Sequence, residues 1–340
     1  MSEAATERRL IEIARRAARG GPGVRLGIGD DCAVLELGTG SLLLATTDLL
    51  LEDVHFRRQW ATPSDIGWKS LAVNVSDIAA MGGRPRWALI ALACPEAVLV
   101  EEAEAFFAGV QALSTEYGVA VVGGDTCASP GGWIVNVTLL GEAALTPLRR
   151  STARPGDTIA VTGSLGRSAA GLALLEAGAT APAVLADVAA EVTAAHLRPR
   201  PRTREGQWLA GAQGVTAMID LSDGLATDLG HICHESGTGA RVELGRLPIH
   251  PAVGAVAQAL GRDALAWATG GGEDYELLLT CAPAALDRLS EGLASATGTR
   301  LNAVGQIVVA ADGIRYLDAG GQPVAVGQGF EHFVSGRPRA

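Results

Sequence analysis

One lysine, Lys69, stands in 340 residues, and the residue before it is Trp68. A phosphate-cradling loop of the form GxxxxGK[ST] needs glycine before its lysine, so ordinary P-loop chemistry is excluded. Positive charge is scarce throughout: 27 Lys and Arg face 37 Asp and Glu, a formal net charge of −10. A nucleic-acid partner calls for clustered cations, and none is expected. The five cysteines (Cys32, Cys94, Cys127, Cys233, Cys281) are scattered and never spaced C-x-x-C. They offer neither a disulfide framework nor a zinc ribbon, and a reducing cytoplasm is the expected compartment. No apolar run approaches the roughly 20 residues that cross a bilayer, so no membrane partner is expected. The first 20 residues read as a basic amphipathic helix (Arg8, Arg9, Arg15, Arg16, Arg19) interrupted by Glu3, Glu7 and Glu12. No apolar core follows it, which favours an ordinary first helix over a targeting peptide.

What is present is a globular composition, 48% hydrophobic with 44 glycines, on a chain longer than one core usually supports. Two domains of α/β type are expected. Apolar runs at Leu42–Thr46, Trp87–Ala93, Val119–Val122 and Trp133–Leu140 read as strands, and Pro63–Met81 and Pro95–Tyr117 as helices. The polar stretch RRSTARPGD at 149–157 ends that unit, giving an N-terminal domain of 1–149 and a C-terminal domain of 150–340. The second half continues with a strand at Thr158–Thr162 and helices at Arg167–Leu175 and Ala183–Leu197. A connector RPRPRTREG follows, then a strand at Val215–Ile219, a helix at Gly224–Glu235, and GGGEDYELLLT entering a strand.

Aspartates recur where apolar strands are expected to end: Gly29-Asp30-Asp31, Thr46-Thr47-Asp48, Gly123-Gly124-Asp125 and Asp220-Leu221-Ser222-Asp223. One such residue is ordinarily a helix cap or a turn. Four carboxylate turns on one side of an α/β fold would repel one another unless cations neutralised them. The helix at Pro63–Met81, with Thr62 suited to cap it and Pro63 to open it, is apolar on nearly every side and should be buried. At 100° per residue Ser70, Asn74 and Asp77 form one polar stripe on it. A buried Asp77 needs a partner, either a hydrogen-bonded group in the core or a metal ion facing Asp31 and Asp48. Carboxylate and hydroxyl oxygens suit Mg²⁺ or Mn²⁺ rather than zinc. His231 and His234 lie three apart with no third ligand in view, so packing or solvent is their expected role. Gly163-Ser164-Leu165-Gly166 is a weak phosphate-loop pattern and reads better as a strand-to-helix turn.

Seven segments in order resemble one family. GIGDDCAVL (27–35), TTDLLLEDVHF (46–56), WKSLAVNVSDIAAMGGRP (68–85), VVGGDT (121–126), HLRPRPR (196–202), DLSDGLATDLGHI (220–232) and GGEDYELLLT (271–280) are similar to thiamine-monophosphate kinases. These are members of the aminoimidazole ribonucleotide synthetase-like superfamily. The resemblance implies two domains, each a mixed β-sheet packed with helices (α/β, α+β in detail). It also implies ATP-dependent phosphorylation of thiamine monophosphate to thiamine diphosphate in a homodimer joined through its N-terminal domains. Direct in-line transfer suits the chemistry, because the acceptor phosphate is largely ionised near neutral pH and needs no general base. An aspartyl-phosphate route is disfavoured, since metal-bound carboxylates are poor nucleophiles.

Matched position by position, the resemblance makes Asp31, Thr46, Thr47, Asp48, Asp77, Asp125, Asp220 and Asp223 ligands of several Mg²⁺ ions, with Asp48, Asp77 and Asp125 central to catalysis. Asp30 is then expected to hold its turn. Gly124, Asp125, Arg150, Ser222 and Tyr117 would contact ATP. His55, Glu273 and Phe330, the last near His332-Phe333, would contact the thiamine moiety, with Glu273 facing the thiazolium cation or the aminopyrimidine. Two rival readings carry less. Another ATP-dependent synthetase of the superfamily would show a reactive N-terminal cysteine, a C-terminal cysteine, or no GGEDYEL. A noncatalytic metal- or nucleotide-binding regulator would have no need of the full aspartate set.

Overall fold

The structure, a computed structural model, describes residues 23–36, 42–143, 146–178, 184–327 and 329–330. The first helix read from the sequence and the pair His332-Phe333 lie outside these. In chain order the elements are β1 (Val24–Leu26), β2 (Ala33–Glu36), β3 (Leu42–Leu51), α1 (Pro63–Ala80), β4 (Arg84–Cys94), α2 (Val100–Tyr117), β5 (Ala120–Ala128) and β6 (Ile134–Glu142). There follow β7 (Thr158–Thr162), α3 (Arg167–Ala177), α4 (Ala186–Leu197), α5 (Thr203–Gly211), β8 (Val215–Asp220), α6 (Leu225–Ser236) and β9 (Thr238–Glu243). The last are α7 (Pro251–Leu260), α8 (Ala264–Gly270), β10 (Leu277–Cys281), α9 (Leu286–Thr297), β11 (Leu301–Val309), β12 (Ile314–Leu317) and β13 (Pro323–Val324).

Two mixed sheets result, each packed with helices. The first has the order β1-β2-β3-β6-β4-β5, antiparallel except for the β4–β5 pair. The second has the order β13-β12-β9-β11-β7-β10-β8, antiparallel except for β9–β12. Strand β10 reads LLLTC without alternation because both its faces are covered. Leu278 packs with Leu225, Leu229 and Ile232 of α6 on one side. Leu277 and Leu279 pack with Leu209 of α5 and Leu289 and Leu293 of α9 on the other. Each such leucine contributes about 1.5–3 kcal/mol by leaving water. Among the described residues no helix is long and apolar enough to cross a membrane.

Helix α1 sits where the two halves meet. Its start is a capping box: Thr62 Oγ1 accepts the Asp65 N–H at 3.2 Å and Asp65 Oδ2 accepts the Thr62 N–H at 3.0 Å. It is buried almost all round because three layers close on it. The first sheet covers one side, and α2 approaches to backbone contact through reciprocal glycines. A Cβ on Gly67 would lie 2.0 Å from the Phe106 carbonyl oxygen, and one on Gly109 would lie 1.9 Å from that of Ser64. From the second half, α5 presents Gly206 to Ala79 in the same way. Its Ser76 Oγ donates to Asp220 Oδ2 at 2.7 Å, tying the helix to the end of β8.

Two sequence expectations are corrected. Thr46–Asp48 and Gly123–Asp125 are not strand ends but lie inside β3 and β5, since the ladder continues through each of them to Leu51 and Ala128. The connector RPRPRTREG is helical from Thr203 onward, because Gly206 and Leu209 find α1 and the second core to pack on.

The glycine contacts make a direct test of this packing. Gly67→Ala should destabilise the chain by about 1–3 kcal/mol through overpacking against α2. Gly254→Ala, on α7 with open space around its Cβ position, should stabilise it by about 0.5–1 kcal/mol. Denaturant unfolding of both variants checks the pair; equal stabilities would refute the close approach.

Candidate active site

Carboxylates from four separate segments gather at the seam. Asp31 comes from the loop between β1 and β2, Asp48 from β3, Asp77 from the last turn of α1 and Asp220 from the end of β8. Oxygens of Asp31, Asp77 and Asp220 lie within 4.8 Å of one another. Burial, and then the Asp48 charge, push the Asp77 carboxyl well above the usual range, eased by the Thr46 hydroxyl donating to it at 2.5 Å. Burial and the neighbouring Asp31 charge push Asp220 up strongly as well, and move Asp48 to about 6. Arg150 partly offsets this accumulation. Its Nη2 donates to Asp31 Oδ1 at 2.6 Å, and its backbone N–H donates to Asp30 Oδ2 at 3.1 Å. Asp30 Oδ1 accepts the Asp31 N–H, so Asp30 holds the turn. Asp31 Oδ2 is buried without a hydrogen-bond partner. Crowded carboxylates, one orphaned oxygen and oxygen-only donors fit a hard divalent cation.

The sheet register divides the other metal-ligand candidates. Asp48 pairs with Val137, Val137 with Ile90, and Ile90 with Gly124. Thr47, one residue away on β3, therefore projects from the opposite face, where its hydroxyl donates to the Val137 carbonyl oxygen and accepts from Asn136. Asn136 pairs with Ala91, and Ala91 with Asp125, so Asp125 shares that outer face, exposed, while Asp48 and Asp77 are on the inner one. Asp223 stands in the turn after β8 with Asp228 and His231, ligand atoms of all three within 4.8 Å. His231, expected to pair at most with His234 and with no third ligand, is instead joined by two carboxylates. Asp228, which the sequence reading passed over, is buried and accepts the backbone N–H groups of Asp223 and Gly224, fixing the turn.

The three acceptor-side candidates converge beside the aspartates. The rings of His55 and Phe330 lie 6.4 Å apart at 49°. Lys69 Nζ donates to the His55 carbonyl oxygen at 3.1 Å and to Glu273 Oε2 at 2.8 Å. His196 Nδ1 lies 3.1 Å from the same carboxylate. Burial alone would raise the Glu273 carboxyl, but the Lys69 charge and then His196 outweigh it and hold it down at about 2. The backbone N–H of Phe330 donates to the Asp223 carbonyl oxygen, and that of Glu273 to the Ser222 carbonyl oxygen, so both residues rest on the turn after β8. Tyr275, buried in the first core, has Glu273, Asp48, Asp220 and Asp223 as its charged neighbours and so stands between the two groups.

Tyr117 is not brought to the aspartates: its hydroxyl donates to the Pro201 carbonyl oxygen at 3.3 Å, and the charges around it are Glu116, Arg200, Arg202 and Glu205. The turn Gly163–Gly166 is filled by Asp274, which accepts the N–H groups of Gly166 and Ser168, leaving it a strand-to-helix turn. Lys69 and His196 were missed as site residues. A lone lysine inside an otherwise apolar helix was their visible signal.

The chain is similar to known proteins along most of its length. A family model described as AIR synthase related protein, N-terminal domain, matches residues 29–143, and its C-terminal domain counterpart matches 154–318. The thiamine-monophosphate kinase of Escherichia coli (strain K12) is 39% identical over 320 residues, 92% of this chain and 93% of its own. That of Mycobacterium tuberculosis (strain ATCC 25618 / H37Rv) is 38% identical over 284 residues, 82% of this chain and 80% of its own. A structure described as AaThiL complexed with AMPPCP and TMP superposes with a TM-score of 0.84 at 32% identity, covering 96% of this chain and 97% of that one. The crystal structure of thiamine-monophosphate kinase from Stenotrophomonas maltophilia K279a gives 0.75 at 38% identity, covering 93% and 96%. Escherichia coli HypE, a hydrogenase maturation protein, shares the fold alone, with a TM-score of 0.67 at 22% identity over 94% and 98% of the chains. With both AIR synthase related domains matched and these identities sustained along most of its length, the chain belongs to the thiamine-monophosphate kinase family.

Proposed function

We propose that this chain transfers the γ-phosphoryl group of ATP to thiamine monophosphate, forming thiamine diphosphate and ADP. The observation that carries this reading is the junction, at Tyr275, of a buried carboxylate cluster with the His55, Glu273 and Phe330 group. An acceptor phosphate oxygen attacks the γ-phosphorus while the bond to the β,γ-bridging oxygen breaks, and its electron pair leaves with ADP. The acceptor phosphate has a second pKa of about 6, so the attacking oxygen carries its charge without help from a base.

Asp31, Asp48, Asp77 and Asp220, with Thr46, would hold Mg²⁺; Thr47 and Asp125 on the outer face, and Asp223 in its turn, would hold further ions. Such ions, when bound, neutralise phosphate charge and keep the reacting oxygens in line. Gly124 and Ser222 line the approach for ATP, and Arg150, relieved of Asp31 by a cation, offers its fork to phosphate oxygens. His55 and Phe330 pack against the heteroaromatic rings of the acceptor.

The homodimer belongs to the same reading. Every residue of β5 is exposed, and Val121, Val122, Leu89, Trp87 and Phe107 give that edge a large apolar content. An uncovered apolar edge strand is a pairing surface, and a second copy would cover it together with Asp125. Tyr117 then awaits ATP from a neighbouring site rather than from the cluster in its own chain. We place the division between the domains at 149/150 and the protein in the cytoplasm, which five unpaired cysteines suit.

Purified chain incubated with ATP, Mg²⁺ and thiamine monophosphate should release ADP and thiamine diphosphate in equal amounts; no diphosphate over a range of Mg²⁺ concentrations would discard the reading. Asp77→Asn should lower turnover by about two to three orders of magnitude. It should also abolish the rise in melting temperature that Mg²⁺ gives the parent chain, because it removes ligand charge. Turnover at the parent's rate would remove Asp77 from the metal site. Val122→Asp should convert a dimer to monomers in sedimentation equilibrium, and a parent chain that is already monomeric at micromolar concentration would refute the interface.

A further inference from the structure

The loop carrying Glu273 is clamped from behind by Lys69, His196 and Arg202. Lys69, the single lysine of the chain, has a side chain only 3% exposed, and His196 one of 5%, whereas the Glu273 side chain keeps 24%. Both Glu273 oxygens lie 2.8 Å from Lys69 Nζ, and Oε2 also lies 3.1 Å from His196 Nδ1. Three residues on, Glu276 is fully buried and gripped by the Arg202 fork, with Nε to Oε2 at 2.6 Å and Nη2 to Oε1 at 2.5 Å. His196 and Arg202 are the two ends of the HLRPRPR segment, and Trp68 Nε1 anchors its middle through the Pro199 carbonyl oxygen at 2.8 Å.

These contacts enforce an unfavourable backbone. Glu273 has φ of 65° and Tyr275 of 49°, left-handed conformations that residues with a Cβ adopt only when their surroundings impose them. A strained, over-determined carboxylate, joined through Lys69 to the His55 carbonyl oxygen, is the arrangement of a reading group whose direction matters.

Its charge balance matters as much. Lys69 already matches the single negative charge of Glu273, so a second cation arriving at the open edge meets an ion pair and the lysine's repulsion with it. A neutral N–H donor meets no such repulsion and still forms a charge-assisted hydrogen bond with the carboxylate. Of the acceptor's groups, the thiazolium is the cation and the aminopyrimidine amino group is the neutral donor. We propose that Lys69 and His196 are positioning residues for the acceptor, holding Glu273 rigid and charge-compensated so that its open edge reads the aminopyrimidine amino group rather than the thiazolium cation. This rests on the kinase reading.

The test is steady-state kinetics and thermal unfolding of the full chain as parent, Lys69→Arg, Glu273→Gln, and Lys69→Met combined with Glu273→Gln. The acceptors are thiamine monophosphate and the analogue whose pyrimidine amino group is replaced by an oxo group, which keeps the thiazolium. Lys69→Arg keeps the charge but shifts its reach. It should raise the KM for thiamine monophosphate about tenfold while leaving the KM for ATP within about twofold and the melting temperature near the parent's. The double variant removes both charges, so no buried carboxylate is stranded; it should fold and show the acceptor KM of Glu273→Gln. The parent chain should prefer thiamine monophosphate to the oxo analogue by at least about thirtyfold in kcat/KM, and the double variant by less than about threefold, because an amide can turn either end to the ring. An acceptor KM unchanged by Lys69→Arg, or a parent chain that takes both acceptors equally, would overturn the proposal while leaving the kinase reading in place. A parent chain inactive on thiamine monophosphate would overturn both.

Discussion

Electrostatic repulsion among buried carboxylates is the constraint around which this molecule is arranged. Asp31, Asp48, Asp77 and Asp220 arrive from a loop, two sheets and a helix and crowd together, Asp220 buried and the other three half-buried. Desolvation and like charge oppose their ionisation together, and the chain supplies only partial relief: one arginine at Asp31, and hydroxyls at Asp77 and Asp220. Such a concentration costs stability that a hydrophobic filling would not. It is intelligible as a seat for divalent cations, whose charge converts the repulsion into ligation.

Helix α1 is what makes the seat rigid. Burial on every side leaves the helix no freedom to roll, so Asp77 and Ser76 are delivered to the seam with fixed direction. About two turns before them, Lys69 leaves the same helix toward Glu273. A single buried element thus aligns the aspartate cluster with the group proposed to face the acceptor. Glycines rather than large side chains mediate its contacts with α2 and α5, which brings backbones together and leaves little room for slippage.

The second half contributes through turns more than through its sheet. The end of β8 and the turn after it offer Asp220, Ser222 and Asp223, and the turn also receives the backbone N–H groups of Glu273 and Phe330. Carboxylates of Asp228 and Asp274 accept backbone N–H groups at the starts of α6 and α3. These hydrogen bonds back the Glu273 loop, whose carboxylate side chain keeps 24% of its surface exposed.

Much of this was legible in the residues. The missing P-loop lysine, the recurring aspartates and the polar stripe on an otherwise apolar helix pointed to metal-assisted phosphate chemistry, and capping residues marked where α1 begins. Local pattern sufficed there because helix periodicity and caps are short-range properties. Other features depended on partners far away in sequence. Which face of the sheet Thr47 and Asp125 occupy follows from strand register, which pairs Thr47 with Thr138 and Asp125 with Ala91. The ion pair of Lys69 with Glu273 spans 204 positions, and no spacing rule reaches so far. By itself the sequence determined the kinds of chemistry available, through residue types and their local periodicity. Only the tertiary structure decided which carboxylates meet, which charges are compensated and where one carboxylate edge stays open, because those depend on burial and distance between segments that the chain separates.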